Sequence, residues 1–309
     1  MGRYILFRLV GSIPVLMGVV IAVFMMVRLV PGDPVKILTG GGARVTQEQQ
    51  DALRRQLGLD QPLPVQFVSF VGNLSRGDLG TSYRSKRPVS DEIRSRIPNS
   101  AKLAGLALLI TIVVGVLTGV IASTHKGSLV DLATMFVATI AVSVPGFWFG
   151  LMLILFFSVR LGWLPVSGAD SWKNLILPAA TLGLRSSAVL ARVTRSTMLD
   201  VLSQDFVRTA RAKGLRERIV IYRHALRNAL IPIVTLVGLE LGALLTGTFI
   251  VETVFAYPGL GLLGIQALQT RDFPLIQGIV LVTATIYVVA NLCVDVLYGF
   301  LDPRIRYMS

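Results

Sequence analysis

Glu240 is the twelfth residue of an apolar run, 229–251, that holds no other charge. A carboxylate at that depth in a membrane-length segment is costly and ordinarily turns toward a cavity or a partner. Two readings stay open. The carboxylate lines a path and attracts a cationic amino group, or it is protonated or paired with an arginine of the preceding apolar stretch. Asn291 and Asp295 stand one helical turn apart in another such run and suit hydrogen bonding between helices. Chemistry beyond charge attraction is hard to assemble. His125 and His224 lie far apart in basic segments, and Cys293 is the single cysteine, so neither a disulfide framework nor a zinc spacing exists. No nucleophile, base and orienting group stand together. The residues therefore point to no catalytic group, no metal and no enzyme.

The elements that position Glu240 are membrane spans. The chain of 309 residues is 53% hydrophobic and 15% charged, where a soluble domain carries about 25% charged residues. Mean hydropathy is +0.69. The first run, Leu9 to Val27, has 19 uncharged residues. That exceeds the roughly 7–15 residues of a signal-peptide core, so it reads as an uncleaved span. About 20 apolar residues at ~1.5 Å each cross a bilayer core of roughly 30 Å. Six stretches qualify: 9–30, 101–123, 131–159, 175–197, 229–251 and 276–299. The third contains Pro145-Gly146 and is expected to kink. The fourth is interrupted by Arg185, Arg192 and Arg195, which fall near one helical face, so that face turns toward protein or water, or the span ends earlier.

The net charge of +13 would suit nucleic acid in a soluble protein, but its placement explains it otherwise. With the N-terminus inside, the inner segments 1–8, 124–130, 198–228 and 300–309 carry twelve Arg or Lys, and the outer segments 160–174 and 252–275 carry three. Basic residues gather on the cytoplasmic side, so both termini are assigned there and no nucleic-acid role is needed. The expected fold is an all-α membrane protein of six transmembrane helices. It divides into residues 1–30 (N-terminus and first span), 31–100 (a short extracytoplasmic subdomain) and 101–309 (the remaining spans, with a cytoplasmic loop at 198–228). Within 31–100, Thr46 and Gln49 suit a capping box, helix 47–57 would stop at Gly58, GLDQPLP is a rigid connector and QFVSFVGNL suits a second short helix.

The loop DFVRTARAKGLRERIVIYRHALRNALIP, 205–232, holds seven Arg or Lys. Ser203 can cap a helix with Asp205 in its first turn, Arg211 and Lys213 suit its last turn, and Gly214 supplies a stop. Phe206, Val207 and Ala210 fall on one side. A second helical stretch, 216–228, leads into the fifth span. A face so small needs a partner: lipid headgroups, or a groove on a cytoplasmic protein. The small residues Ala210, Ala212 and Gly214 favour close approach to a protein, and the residues alone leave both readings open.

RTARAKGL followed by RHALRNALIP resembles the cytoplasmic coupling loop of ABC importer permeases of the dipeptide/oligopeptide/nickel branch. RYILFRL, RLVPGDP (28–34), LGLDQPLPVQF (57–67), RGDLGTSYRSKRPV (76–89), VETVFAYPGLG (251–261) and LDPRIRY (301–307) resemble that branch as well, in order, over nearly the whole chain. One departure stands out: the broad permease consensus has Glu-Ala-Ala where this chain has Arg208, Thr209 and Ala210, so the acidic residue's role is not carried over. The resemblance implies a bacterial inner-membrane permease subunit paired with a second homologous permease, driven by two ABC ATPases that consume ATP and Mg, and supplied by an extracytoplasmic binding protein. It binds no cofactor itself. The ATPase-coupling residues would be Phe206, Val207, Thr209, Ala210, Arg211, Ala212, Lys213, Gly214 and Leu215. Glu240 would lie on the translocation pathway. Tyr257, Pro258, Gly259 and Gly261 would form an outer gate or receptor contact, against the plainer reading of a tight surface loop. Peptides are the leading cargo, with nickel chelates, glutathione and opine-like compounds possible across the branch. An ATP-independent carrier would leave the docking helix unexplained, and an intramembrane enzyme would need histidines within its spans.

Overall fold

Apolar runs long enough to cross a bilayer become helices in a computed structural model, which describes residues 2–29, 47–56 and 60–301. Among the described residues the structure is almost wholly helical, and its extended pairing is a single bridge between Thr81 and Pro88. Helix α1 spans Gly2–Leu29 and contains Pro14. Short helices follow at α2, Gln47–Gln56, and α3, Leu63–Ser75. The latter starts inside the expected connector, because a proline is tolerated in a first turn where amide hydrogens lack partners anyway. Thr46 and Gly58, the anticipated boundaries of α2, lie outside the described residues, as do most of RLVPGDP and LDPRIRY.

The second span begins earlier than its apolar stretch. Helix α4 runs Val89–Thr124, with Asp91 and Glu92 in its first turn and Pro98 inside it. Acids complement the positive end of a helix dipole, so a polar lead-in extends the helix. The third span is broken rather than kinked. Helix α5, Leu129–Ser143, is capped by the Ser128 hydroxyl, which accepts from the Asp131 amide at 3.3 Å. Val144 is extended, as the residue before a proline is pushed to be. Helix α6, Gly146–Leu153, then continues as a π-helical stretch to Arg160, bent by 105° from α5.

Helix α7 is Lys173–Leu202, and α8 is Asp205–Ala212. A single turn, α9 (Glu217–Ile219), widens into π-helical Val220–Ala225, and α10 continues over Leu226–Val254. Helices α11, Leu260–Gln269, and α12, Phe273–Leu301, complete the described residues. Among the described residues five helices are long and apolar enough to span a membrane, or six if the bent pair counts as one.

Contacts divide the chain into two units, one built on Pro98–Leu262 and the other on Leu6–Ile97 with Leu263–Val288. In the first, α4 and α7 pack at glycines. A Cβ on Gly119 would fall 2.5 Å from Thr194 Cβ, and one on Gly183 would fall 2.6 Å from the Ala107 carbonyl oxygen. Thr111 Oγ1 donates to Ala107 O at 2.9 Å and, across the helix pair, to Gly183 O at 3.2 Å. Small residues and interhelical hydrogen bonds are how helices associate in lipid, where apolar area alone gives no drive. Gly119→Leu is therefore expected to cost about 1–3 kcal/mol by overpacking, read as a lowered melting temperature of the purified protein. In the second unit Phe24, 1% exposed, meets Phe67 edge-on at 5.1 Å, and Gln277 Nε2 donates to Val23 O at 3.0 Å. Outward apolar side chains such as Leu132 and Phe136, both more than half exposed, are the surface that lipid covers.

Candidate functional site

Helix α8 is cut off from α7 by Gln204, whose backbone is extended. Ser203 is not its cap. That residue is still helical, and its hydroxyl donates back to Asp200 O at 2.7 Å, closing α7 instead. Asp205 occupies the first turn of α8. The far end is a Schellman motif: Gly214 at φ +73° donates to Arg211 O at 2.9 Å, and Leu215 donates to Ala210 O at 3.4 Å. Outside it, Arg211 holds Glu217 through two guanidinium nitrogens at 2.7 and 3.2 Å, which fastens the stop to the next turn.

The expected apolar side divides. Val207 and Ala210 are buried against Val220 and Leu202, so α8 finds a partner for this pair within its own chain. Phe206 points elsewhere and is 37% exposed, as is Leu215. One residue's step around a helix is about 100°, which separates Phe206 from Val207. Arg208, Thr209, Arg211, Ala212, Lys213 and Gly214 are exposed with them. The result is a small rigid helix, pinned beneath and open above.

Tyr257-Pro258-Gly259-Leu260-Gly261 is no surface turn. Tyr257 is 3% exposed among Leu103, Leu177 and Phe255. Burial, with Glu252 nearby, raises its pKa, so its hydroxyl stays protonated at neutral pH. The loop wraps a carboxylate that sequence reasoning passed over. Glu252 is 0% exposed. It accepts from Ser100 Oγ at 2.6 Å, from the Gly261 amide at 2.7 Å and from the Leu262 amide at 3.2 Å. Ser100 Oγ in turn accepts from the Leu260 amide at 2.8 Å, and Asn99 Nδ2 donates to Pro258 O at 2.9 Å. Glu252 thus fills the amide-rich start of α11, where negative charge is favoured. Gly259 must be glycine here, because a Cβ would fall 2.3 Å from the Glu252 carboxyl carbon. The available signal was an acid at the end of an apolar span shortly before a Gly-rich turn.

A second buried acid organises the other unit. Asp272, 1% exposed, accepts from Ser82 Oγ at 2.5 Å and from the amides of Tyr83 and Arg84 at 3.1 and 3.2 Å. It fixes a tight loop closed by the Ser82 amide on Arg87 O at 2.9 Å, and Arg84, Lys86 and Arg87 project outward from that loop. Burial, then Asp272, raises the Tyr83 pKa. Asp272→Ala removes the acceptor from these donors, and an unmet buried donor costs about 1–3 kcal/mol. Hydrogen exchange at the Tyr83 and Arg84 amides is expected to quicken by roughly thirtyfold, equal to about 2 kcal/mol of local opening.

The three span-four arginines separate in role. Arg195 grips Asp131 through Nε and Nη2 at 2.5 and 2.7 Å, tying α7 to α5, while Arg185 and Arg192 are both exposed. Arg185 borders a cavity of about 340 Å3 that Glu240 also lines, along with Thr181 and Ser186. Among the described residues no group of three His, Cys, Asp or Glu is placed to hold a metal.

The model of binding-protein-dependent transport system inner membrane components matches residues 103–307, and its N-terminal companion matches 1–104. The chain is 45% identical over 305 residues to the glutathione transport system permease protein of Escherichia coli (strain K12), covering 99% of each chain. It is 46% identical over 306 residues to that of Salmonella choleraesuis (strain SC-B67), again covering 99% of each. Among solved structures, the inward-facing MetNI methionine ABC transporter matches with a TM-score of 0.58 at 16% identity, over 68% of this chain and 96% of that one. An amino acid ABC transporter with histidines matches with a TM-score of 0.50 at 21% identity, over 70% and 94%. At these identities the solved structures speak to the fold alone.

Proposed function

The chain belongs to the family of binding-protein-dependent transport system inner membrane components and is a multi-pass permease component of an ABC importer, and from that premise we propose that its cargo is short peptides, glutathione included. ATPase and substrate-binding-protein partners come with that family. The observation that carries the cargo is the 45% identity, end to end, with a permease named for glutathione, itself a tripeptide.

In this reading α8 is the coupling helix. Its capped stop and the Arg211–Glu217 pair make it stiff enough to pass a pull from an ATPase groove into α7 and α10, while Phe206 and Leu215 offer the exposed apolar contact. Two ATPases and a second homologous permease complete the assembly, and ATP and Mg are consumed in the ATPases. Both termini and α8 face the cytoplasm, in keeping with the distribution of Arg and Lys. The Arg84–Arg87 loop faces the receptor outside, and the buried segment around Tyr257 belongs to the outer gate.

Gentle-detergent capture of this chain from native membranes, with mass spectrometry of what accompanies it, tests the assembly. Two ATP-binding subunits and a second permease are expected, and the receptor, once identified, is expected to bind glutathione or another short peptide. A chain recovered alone, stable and monodisperse, overturns the assembly. A receptor that binds only metal chelates overturns the cargo.

A further inference from the structure

Arg185 lies near the middle of α7, Lys173–Leu202, and Glu240 at the centre of α10, Leu226–Val254. Both side chains line the same cavity, yet among the described residues neither makes a hydrogen bond or an ion pair. The buried acids of the same unit, Asp131 and Glu252, are both met by donors. Asp131 and Arg195 cancel each other through two hydrogen bonds, and buried Glu252 is met by a hydroxyl and two amides. Opposite charges at span-centre depth gain most by pairing, because the surroundings screen them poorly. Here they line one space of about 340 Å3 without pairing. That volume sits at the lower end of ligand pockets, roughly 300–1,000 Å3.

We propose that this cavity is a zwitterion site on the translocation path, with Glu240 receiving the ammonium end of a short peptide and Arg185 its carboxylate end. The inference rests on the peptide reading above and adds the two groups that would recognise the cargo inside the membrane. A guanidinium suits a carboxylate because its planar fork donates two parallel hydrogen bonds. A single carboxylate accepts well from an ammonium group. Thr181 and Ser186 add hydroxyls to the lining, and Val142, Phe147 and Leu244 make the rest of it apolar, so the charged ends would meet little competing water. Two opposite charges on the lining of one cavity favour cargo that carries both ends free. They disfavour cargo with one end blocked, because one wall charge is then left without its partner.

The receptor also selects cargo, so the test must isolate the permease. The complete importer is reconstituted in vesicles with its receptor, and uptake is compared for glutathione, N-acetylglutathione and the glycine-amide form of glutathione. The receptor is the same in every vesicle, so a change in a cargo ratio between wild type and variant belongs to the permease. Glu240→Gln is expected to reduce the preference for the free amine over the acetylated form at least tenfold and to leave the carboxylate-over-amide preference in place. Arg185→Gln is expected to do the reverse. Co-purification of all subunits shows that each variant is assembled, and a merely structural role would lower uptake of all three cargoes equally. Both preferences unchanged in both variants, or an equal fall for all cargoes, overturns the zwitterion site while leaving the importer reading intact. Wild-type vesicles that take up none of the three overturn the cargo reading, and the zwitterion site falls with it.

Discussion

Glu252→Ala destabilises the permease by about 3–5 kcal/mol and abolishes uptake. The Gly261 and Leu262 amides and the Ser100 hydroxyl all donate to this carboxylate in a site with no water-exposed face. Each donor left unmet costs about 1–3 kcal/mol. Whole-protein stability is commonly only about 5–15 kcal/mol, so the loss is large. Alanine also opens a void beneath Gly259, whose backbone is held against the carboxyl group. Glu252→Gln separates the causes. Its carbonyl oxygen can still accept from one side, but its amide hydrogens oppose the donors on the other, so an intermediate loss is expected. Thermal unfolding of the purified variants, alongside uptake in vesicles, reads both. Melting temperatures equal to wild type in both variants would show that the loop from Tyr257 to Leu262 does not depend on this acid.

Gly214→Trp is expected to lower uptake at least tenfold with normal membrane insertion. The backbone at φ +73° admits a non-glycine residue only with strain of about 1–2 kcal/mol. No atom lies within 4 Å of where a Cβ would stand, so the indole clashes with nothing in this chain. Val207 and Ala210 keep their burial, since they face the other way against Val220. A loss of transport therefore reports a surface that something else must approach. Gly214→Asn is the control, because asparagine tolerates the left-handed region and adds little bulk, and it is expected to retain uptake. Wild-type transport by Gly214→Trp would remove α8 from the coupling path.

The helices were legible where period and length coincide. The spans at Leu226–Val254 and Phe273–Leu301 lie close to their sequence estimates, because an almost wholly apolar run of membrane length has one stable answer. Boundaries set by polar residues were less legible. Residues 89–100 read as part of an outer segment, yet they join α4, since Asp91 and Glu92 favour a helix start that an apolar count overlooks. Gly214 as a stop was readable because one residue's backbone freedom decides it. Ser203 as a cap was not, because a serine's hydroxyl serves equally well to close the helix behind it. Glu252 and Asp272 escaped notice for a common reason. Their partners are mostly main-chain amides and a serine far away in sequence, Ser100 and Ser82, and such pairings leave no local pattern. Glu240 was visible because it interrupts an apolar run, whereas Arg185, one of three arginines on its face, gained its distinction only from the cavity beside it.

The break at Pro145 shortens the straight part of the third span. Helix α5 has 15 residues, about 22 Å of helix, against a hydrocarbon thickness of roughly 30 Å. Turned by 105° from α5, the next helix does not extend it straight across. Acyl chains beside this segment must thin or tilt to meet it, at a fraction of a kcal/mol for each ångström of mismatch. Bilayer thickness thereby becomes part of the environment this permease is tuned to, and a host whose membranes carry longer acyl chains strains the third span before any other.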